Sequence, residues 1–292
     1  MIKGIIIRGV GGNYYVDIGN KVVECRARGL FRLKNIKPLV GDKVLIRITE
    51  EDEDAGYIEE VLERTNEIKR PSIANVEQLI VIFAVRSPDP DYLLLDKLLI
   101  AAELNHINPI ICFNKFDLAE EGQEEDILNI YKNTAYKIIF TSKYNKESIK
   151  ELKTILRDKL NVFSGPSGVG KSSLLNALQP DFYLQTGEIS EKLRRGRHTT
   201  RHAEIYKFSF GGYAVDTPGF SSFQLEGIDE YELRMYYPEI NKYGESCKFL
   251  DCLHYKEPGC SVKEALKDDL ISNIRYNNYQ RLLEEIKRNK PY

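Results

Sequence analysis

Thirteen residues, Asn161-Val162-Phe163-Ser164-Gly165-Pro166-Ser167-Gly168-Val169-Gly170-Lys171-Ser172-Ser173, constrain this chain more than any other stretch. An apolar strand runs into a glycine-rich turn of the form G-x-x-x-x-G-K-S, and Leu174-Leu175-Asn176-Ala177-Leu178 continue as the apolar start of a helix. Such a turn cradles phosphate. Gly165, Gly168 and Gly170 permit a backbone in which successive N–H groups converge, and the following helix adds the positive end of its dipole. Pro166, Ser167, Val169 and Ser173 complete the loop and the first helical turn. Lys171 is expected to reach the β- and γ-phosphates and the Ser172 hydroxyl to bind Mg²⁺. The bland alternative, an ordinary glycine turn, is disfavoured because the strand–loop–helix context is present.

A strand-and-helix alternation surrounds this loop. The near-continuous apolar run Val76–Val85 suits a strand buried on both faces. It is followed by a leucine-rich helix from Tyr92 to about Leu104, strand Pro109–Phe113, helix Glu124–Tyr131, strand Tyr136–Phe140 and helix Lys146–Leu160. That order predicts a parallel sheet wound on both faces, with ligands at the carboxyl ends of its strands. Two strand ends carry chemistry. Asn114-Lys115-Phe116-Asp117 follows one, and Thr141-Ser142-Lys143 follows the next. A carboxylate at Asp117 can accept both the ring N–H and the exocyclic amine of guanine, a donor pair that adenine lacks. In this reading Asn114 braces neighbouring backbone, Lys115 lies over the base, and Ser142-Lys143 contacts the guanine oxygen. Alone, N-K-x-D is a weak signal, since Asp117 could equally be the N-cap of a helix. Beyond the phosphate loop, Asp216-Thr217-Pro218-Gly219 closes strand Tyr213–Val215. Asp216 is expected to hold Mg²⁺ through water and the Gly219 amide to sense the γ-phosphate. Between the two lies Lys192–Arg201, where a switch loop belongs. Thr199 or Thr200 should complete the Mg²⁺ shell, with Thr200 the preferred ligand.

The order of these motifs is informative, because N-K-F-D and T-S-K precede the phosphate loop whereas Ras-like GTPases place them last. A doubly wound domain with adjacent termini can be re-cut in this way, since only the connections change. The segments R-P-S-I-A-N-V-E-Q (70–78), G-P-S-G-V-G-K-S-S (165–173), R-G-R-H-T-T (195–200) and D-T-P-G-F (216–220) resemble those of the ribosome small-subunit-dependent GTPase A family (RsgA, also called YjeQ or YloQ), over essentially the full length. The resemblance implies a circularly permuted Ras-like α/β P-loop GTPase domain that converts GTP to GDP. It further implies the small ribosomal subunit and its rRNA as partners, late in that subunit's maturation.

Upstream, Ile5–Val10, Tyr14–Ile18, Val22–Arg28, Lys43–Ile48 and Tyr57–Leu62 are short Val-, Ile- and Tyr-rich runs separated by turn residues. Five such strands suit a small closed barrel, OB-like, with an SH3-like barrel as the competitor. Arg26, Arg28, Arg32, Lys34 and Lys37 cluster with Phe31 around the third strand, as in an RNA-binding barrel or, equally, a solvated edge. Thr65–Ser72 reads as a linker. At the other end, Cys247-x4-Cys252-x-His254-x5-Cys260 brings four soft or borderline ligands together. That is enough for one closed, structural Zn²⁺ site. After it, Ser272 can cap a helix with an apolar stripe of Tyr276, Tyr279, Leu282, Leu283 and Ile286. The expected division is barrel 1–66, GTPase domain 67–225 and zinc-binding helical domain 226–292.

With 42% apolar residues, 292 residues suffice for several cores. The formal charge of −2 gives no global pull toward nucleic acid, so RNA contact must be local. No apolar run approaches the ~20 residues of a membrane span, and Met1-Ile2-Lys3-Gly4 lacks the sections of a signal peptide. A cytoplasmic monomer without membrane partners is expected, its five cysteines reduced. The position that related GTPases fill with a water-orienting glutamine holds Phe220, so unaided turnover should be slow and a stimulating partner is expected. His198, in the switch loop, either supplies the missing catalytic group on that partner or joins the surrounding Lys and Arg residues in contacting RNA phosphates. A P-loop kinase and an RNA-binding module with a degenerate nucleotide site are the competing functions. N-K-F-D with T-S-K argues against the first, and intact Lys171, Ser172 and Asp216 against the second.

Overall fold

The computed structural model describes residues 1–29, 31, 36–69, 72–180, 204–216 and 227–289. Strands β1 (Ile2–Val10), β2 (Asn13–Asp17), β3 (Val22–Ala27), β4 (Lys43–Ile48) and β5 (Ala55–Val61) close into a barrel in the order β1-β2-β3-β5-β4. Period-two alternation drives the closure. Ile6, Val16, Val23, Cys25, Val44, Ile46 and Ile58 fill the interior while Glu24, Arg26, Arg47 and Tyr57 face outward. The parallel β3–β5 pairing and the return of β4 onto β1 select the OB-like barrel.

The linker expected over 65–72 is partly ordered as a two-stranded ribbon, β6 (Glu67–Lys69) with β7 (Ser72–Ala74). Behind it, β8 (Gln78–Ala84), β9 (Asn108–Asn114), β10 (Lys137–Phe140), β11 (Leu160–Ser164), β12 (Glu204–Lys207) and β13 (Tyr213–Asp216) form one sheet, ordered β10-β9-β8-β11-β13-β12. All pairs are parallel except β12–β13. Helices α1 (Tyr92–Leu104) and α2 (Gln123–Tyr131) cover one face, and α3 (Lys146–Leu156) and α4 (Lys171–Leu178) the other. This double cover accounts for the unbroken apolar run of β8. Leu79, Val81 and Phe83 pack toward α1 and α2, and Ile80, Ile82 and Ala84 toward α3 and α4.

Two expectations are corrected. The helix drawn to Leu160 stops at Leu156, because Arg157 turns extended, Asp158 takes φ +59°, and Leu160 opens β11. The antiparallel edge strand β12 was not expected, being only four residues of alternating Glu-Ile-Tyr-Lys.

Within the barrel unit Arg64 grips buried Asp42 with Nε and Nη2 at 2.7 and 2.8 Å. A polar tie holds the barrel on the sheet. Asp17 accepts from Lys207 and Tyr213 of the β12–β13 hairpin, at 2.9 Å each. The C-terminal helices α5 (Pro238–Gly244), α6 (Ser261–Lys267) and α7 (Asn273–Arg288) share a core with Ile100 of α1. Ser272 Oγ caps α7 at the Ile274 N–H, and the predicted stripe of Tyr276, Tyr279, Leu282, Leu283 and Ile286 packs into that core.

A buried ionic cluster bolts this core to the sheet domain. Arg275 donates to both oxygens of Glu239 at 2.7 and 3.1 Å and to Asp96 of α1, while Asn278 donates to Asp96 at 2.9 Å. The guanidinium also lies over the Tyr237 and Tyr131 rings, 4.4 and 5.3 Å from their centres. Removing one partner of such a cluster leaves uncompensated buried charge. Arg275→Met should therefore cost about 3–5 kcal/mol, read as a lowered midpoint in urea unfolding. A loss below about 1 kcal/mol would show that the cluster is not what joins α1 to the C-terminal helices.

Candidate nucleotide and metal sites

The phosphate loop leaves β11 between β8 and β13, at the carboxyl end of the sheet where ligands of such folds sit. Close backbone approach imposes its glycines. A Cβ at Gly165 would lie 2.0 Å from the Ile82 carbonyl oxygen, and one at Gly170 only 2.6 Å from Asn114 Nδ2. Val169 is buried against the α3–α4 face, which pins the loop, while Ser167 and Gly168 form an exposed tip. Ser172 is buried at the first turn of α4, with Ser173 half-buried beside it. Lys171 Nζ donates to the carbonyls of Gly165 and Pro166 at 2.7 and 2.6 Å, lying back across the loop. Burial pushes its ammonium down to about 8, an electrostatic deficit that phosphate oxygens would relieve.

The N-K-F-D and T-S-K motifs stand on the neighbouring strand ends, and Asn114 joins them to this loop. Asn114, the last residue of β9, donates Nδ2 to the Val169 carbonyl at 2.9 Å and accepts at Oδ1 from Thr141 Oγ1 at 3.1 Å. Lys115 takes φ +58°, turning the chain so that Asp117 is exposed beyond the strand end. The Lys115 ammonium donates to the Ser87 carbonyl on the loop after β8. Ser142 donates Oγ to Asp117 Oδ1 at 2.6 Å, linking the ends of β9 and β10. Phe116 and Phe140 pack with ring centres 4.8 Å apart. Lys143 is exposed, its ammonium over the Tyr144 ring.

Asn114 thus braces the backbone of the phosphate loop. Thr141, which orients it, is a supporting residue that only the hydroxyl in T-S-K could have flagged. Asp216 ends β13 beside the β11 end that opens into the phosphate loop. His198, Thr199, Thr200, Gly219 and Phe220 lie outside the described residues, as do Arg32 and Lys34 of the basic cluster.

The second candidate site is a metal cluster. Ligand atoms of Cys247, Cys252, His254 and Cys260 all lie within 4.8 Å of one another. His254 Nδ1 is 3.5 Å from the sulfurs of Cys247 and Cys260, and those sulfurs are 3.9 Å apart. A tetrahedral ion with thiolate and imidazole bonds of ordinary length has edges of about 3.8 Å (S···S) and 3.5 Å (S···N), so these residues fit one. The backbone of the ligand loop is held as well. Tyr276 and Tyr279 donate to the carbonyls of His254 and Leu253, and the Glu257 carboxylate takes the Leu253 and Tyr255 N–H groups. Burial pushes the Cys252 thiol up to about 12 and the His254 imidazole down to about 4. His254 is then the neutral, ligating form at neutral pH. Cys25 and Cys112, by contrast, are buried singly in strands.

A family model described as RsgA GTPase matches residues 61–226, and one described as RsgA N-terminal domain matches residues 3–58. The chain belongs to the RsgA GTPase family. This makes it a GTP-hydrolysing enzyme with a permuted nucleotide domain. A "Small ribosomal subunit biogenesis GTPase RsgA" of Caldanaerobacter subterraneus subsp. tengcongensis is 47% identical over 98% of this chain and 96% of its own. One of Bacillus subtilis is 45% identical over 100% and 99%. Among solved structures, "YloQ, a circularly permuted GTPase" superposes with TM-score 0.83 at 40% identity, covering 100% of this chain and 97% of that one. YjeQ from Thermotoga maritima gives 0.84 at 36%, covering 99% of each.

The metal geometry has a direct check. Cobalt(II) added to metal-free protein should give the strong visible absorption of a four-coordinate thiolate site, and Cys252→Ser should diminish it. The weak spectrum of six-coordinate cobalt would contradict the closed S₃N arrangement.

Proposed function

We propose that this chain is a GTP hydrolase acting late in maturation of the small ribosomal subunit, with turnover stimulated by the subunit and hydrolysis timing its release. The observation that carries the nucleotide half is the Asn114 bond to Val169, which makes the guanine motif and the phosphate loop one site. The small-subunit half is supported by the names of full-length relatives.

In this reading Asp117 and Ser142-Lys143 read the base, and Lys171 neutralises charge at the β- and γ-phosphates. Ser172 and Thr200 hold Mg²⁺, Asp216 supports it through water, and the Gly219 amide senses the γ-phosphate. Residues 1–66 form the barrel, 67–225 the GTPase unit and 226–292 the metal-binding unit, the protein working as a cytoplasmic monomer. The metal is one structural Zn²⁺. All four ligands are protein atoms, so no position is open for substrate, and the S₃N donor set suits zinc in a reducing compartment. Bound there, it ties the chain around Cys247 and Cys252 to the start of α6.

Among the described residues no helix is long and apolar enough to cross a membrane. His198 is the candidate catalytic group. Imidazole can orient the water that the Phe220 side chain cannot, and the competing role is contact with RNA phosphates.

The test is single-turnover GTP hydrolysis with and without purified small subunits. Stimulation by at least about tenfold is expected; equal rates would contradict the proposal. At saturating subunit, His198→Ala should lose most of the stimulation while subunit binding persists. Loss of binding and of its salt dependence together would assign His198 to RNA contact instead.

A further inference from the structure

Strand register sets Cys112 beneath the residues that join the phosphate loop to the ends of β9 and β10. Cys112 and Asn114 stand two apart on β9, so their side chains share a face of the sheet. Across the β9–β10 pair Cys112 lies opposite Ile139, and the pairing continues to Thr141, whose N–H donates to the Phe113 carbonyl at 2.8 Å. Val169 of the phosphate loop packs into the same buried cluster as Cys112, Ile82 and Ile139. Cys112, Asn114 and Thr141 are all buried.

The acceptor at one end fixes the direction of every hydrogen bond in this row. The Val169 carbonyl can only accept, so the Asn114 group 2.9 Å from it is the amide NH₂, and the group turned to Thr141 is the amide oxygen. That oxygen can only accept as well. The single hydroxyl hydrogen of Thr141 is therefore spent on Asn114, at 3.1 Å. Cys112 Sγ lies 3.3 Å from Thr141 Oγ1, and with the hydroxyl hydrogen spent only the thiol can donate between them. The thiol has its proton to give, since burial pushes it up to about 12.

We propose that Cys112 is a positioning residue of the nucleotide site: its S–H donates to the Thr141 hydroxyl and holds it in the orientation that fixes Asn114 on the phosphate loop. A thiol suits the place. It packs as a small apolar group in the core that contains Val169, yet carries one weak donor at the spot where Thr141 has a free lone pair. Alanine or valine would fill the same core without directing the hydroxyl. The row Cys112–Thr141–Asn114–Val169 thus extends the support of the site from the strand ends into the core of the sheet. This inference deepens the guanine-nucleotide reading above and rests on it.

The test follows release of a fluorescent GDP analogue, chased by unlabelled GDP, from the full-length protein with Mg²⁺. Cys112→Ala and Cys112→Val both lack the donor but err in opposite directions of volume, and each should speed release about threefold. Thr141→Val should speed it at least as much. Adding Cys112→Val to Thr141→Val should then change nothing further, because the thiol acts only through that hydroxyl. Effects that multiply independently would make Cys112 ordinary core packing and overturn the proposal. A second measurement needs no Cys112 variant. In the infrared spectrum the Cys112 S–H stretch should lie at the lowered frequency of a donating thiol and move up in Thr141→Val; an unmoved band would also overturn the proposal. The two readings fail separately. If Asn114→Ala releases the analogue at the wild-type rate, the bridge is not part of the nucleotide site and both fall, whereas faster release in Asn114→Ala with wild-type rates in both Cys112 variants overturns the role of Cys112 alone.

Discussion

The Asn114 side chain joins the phosphate loop to the ends of β9 and β10. Its amide bridges two partners that belong to other segments, the Val169 carbonyl of the phosphate loop and the Thr141 hydroxyl at the end of β10. Without that bridge the N-K-F-D turn would be positioned only by its own strand, two strands away from the glycine-rich loop. A buried amide that lost either partner would leave polar groups unpaired at a cost of ~1–3 kcal/mol. The arrangement is therefore held or lost as a unit. The crowding at Gly170 is the same constraint seen from the other side, since the loop can approach Asn114 only without a Cβ.

Permutation leaves this site intact because the sheet order, not the chain order, determines which strand ends are neighbours. What permutation changes is where the chain goes afterwards. After β13 and Asp216 it leads to the metal-binding helices, and these are bolted back onto α1 through Arg275, Asp96 and Glu239. Helix α1 is itself the continuation of β8, the strand beside the phosphate-loop strand. The barrel is tied in a comparable way, through Asp17 to the hairpin that ends at Asp216. Both accessory units thus contact elements adjoining the strand that carries the phosphate loop.

Much of this was legible in the residues. Glycine spacing, N-K-F-D, T-S-K and the Cys/His spacing specify chemistry locally, and β8 announced its double burial by an unbroken apolar run. Other features were not legible, for physical reasons. Arg275 sits beside the apolar stripe of α7 and reads as a solvated charge. Only the fold brings it to Asp96, which in turn looks like an ordinary polar residue of α1. Strand β12 is too short to show periodicity, and the end of α3 depends on Asp158 adopting a left-handed backbone that its sequence merely allows.

The central claim is that one site, assembled by Asn114, reads guanine and holds its phosphates. Calorimetric titration of GDP and ADP, each with Mg²⁺, into the purified protein tests it most directly. GDP should bind at least about a hundredfold more tightly, because adenine would leave the Asp117 carboxylate without its donor pair. Comparable affinities for the two nucleotides would contradict the account.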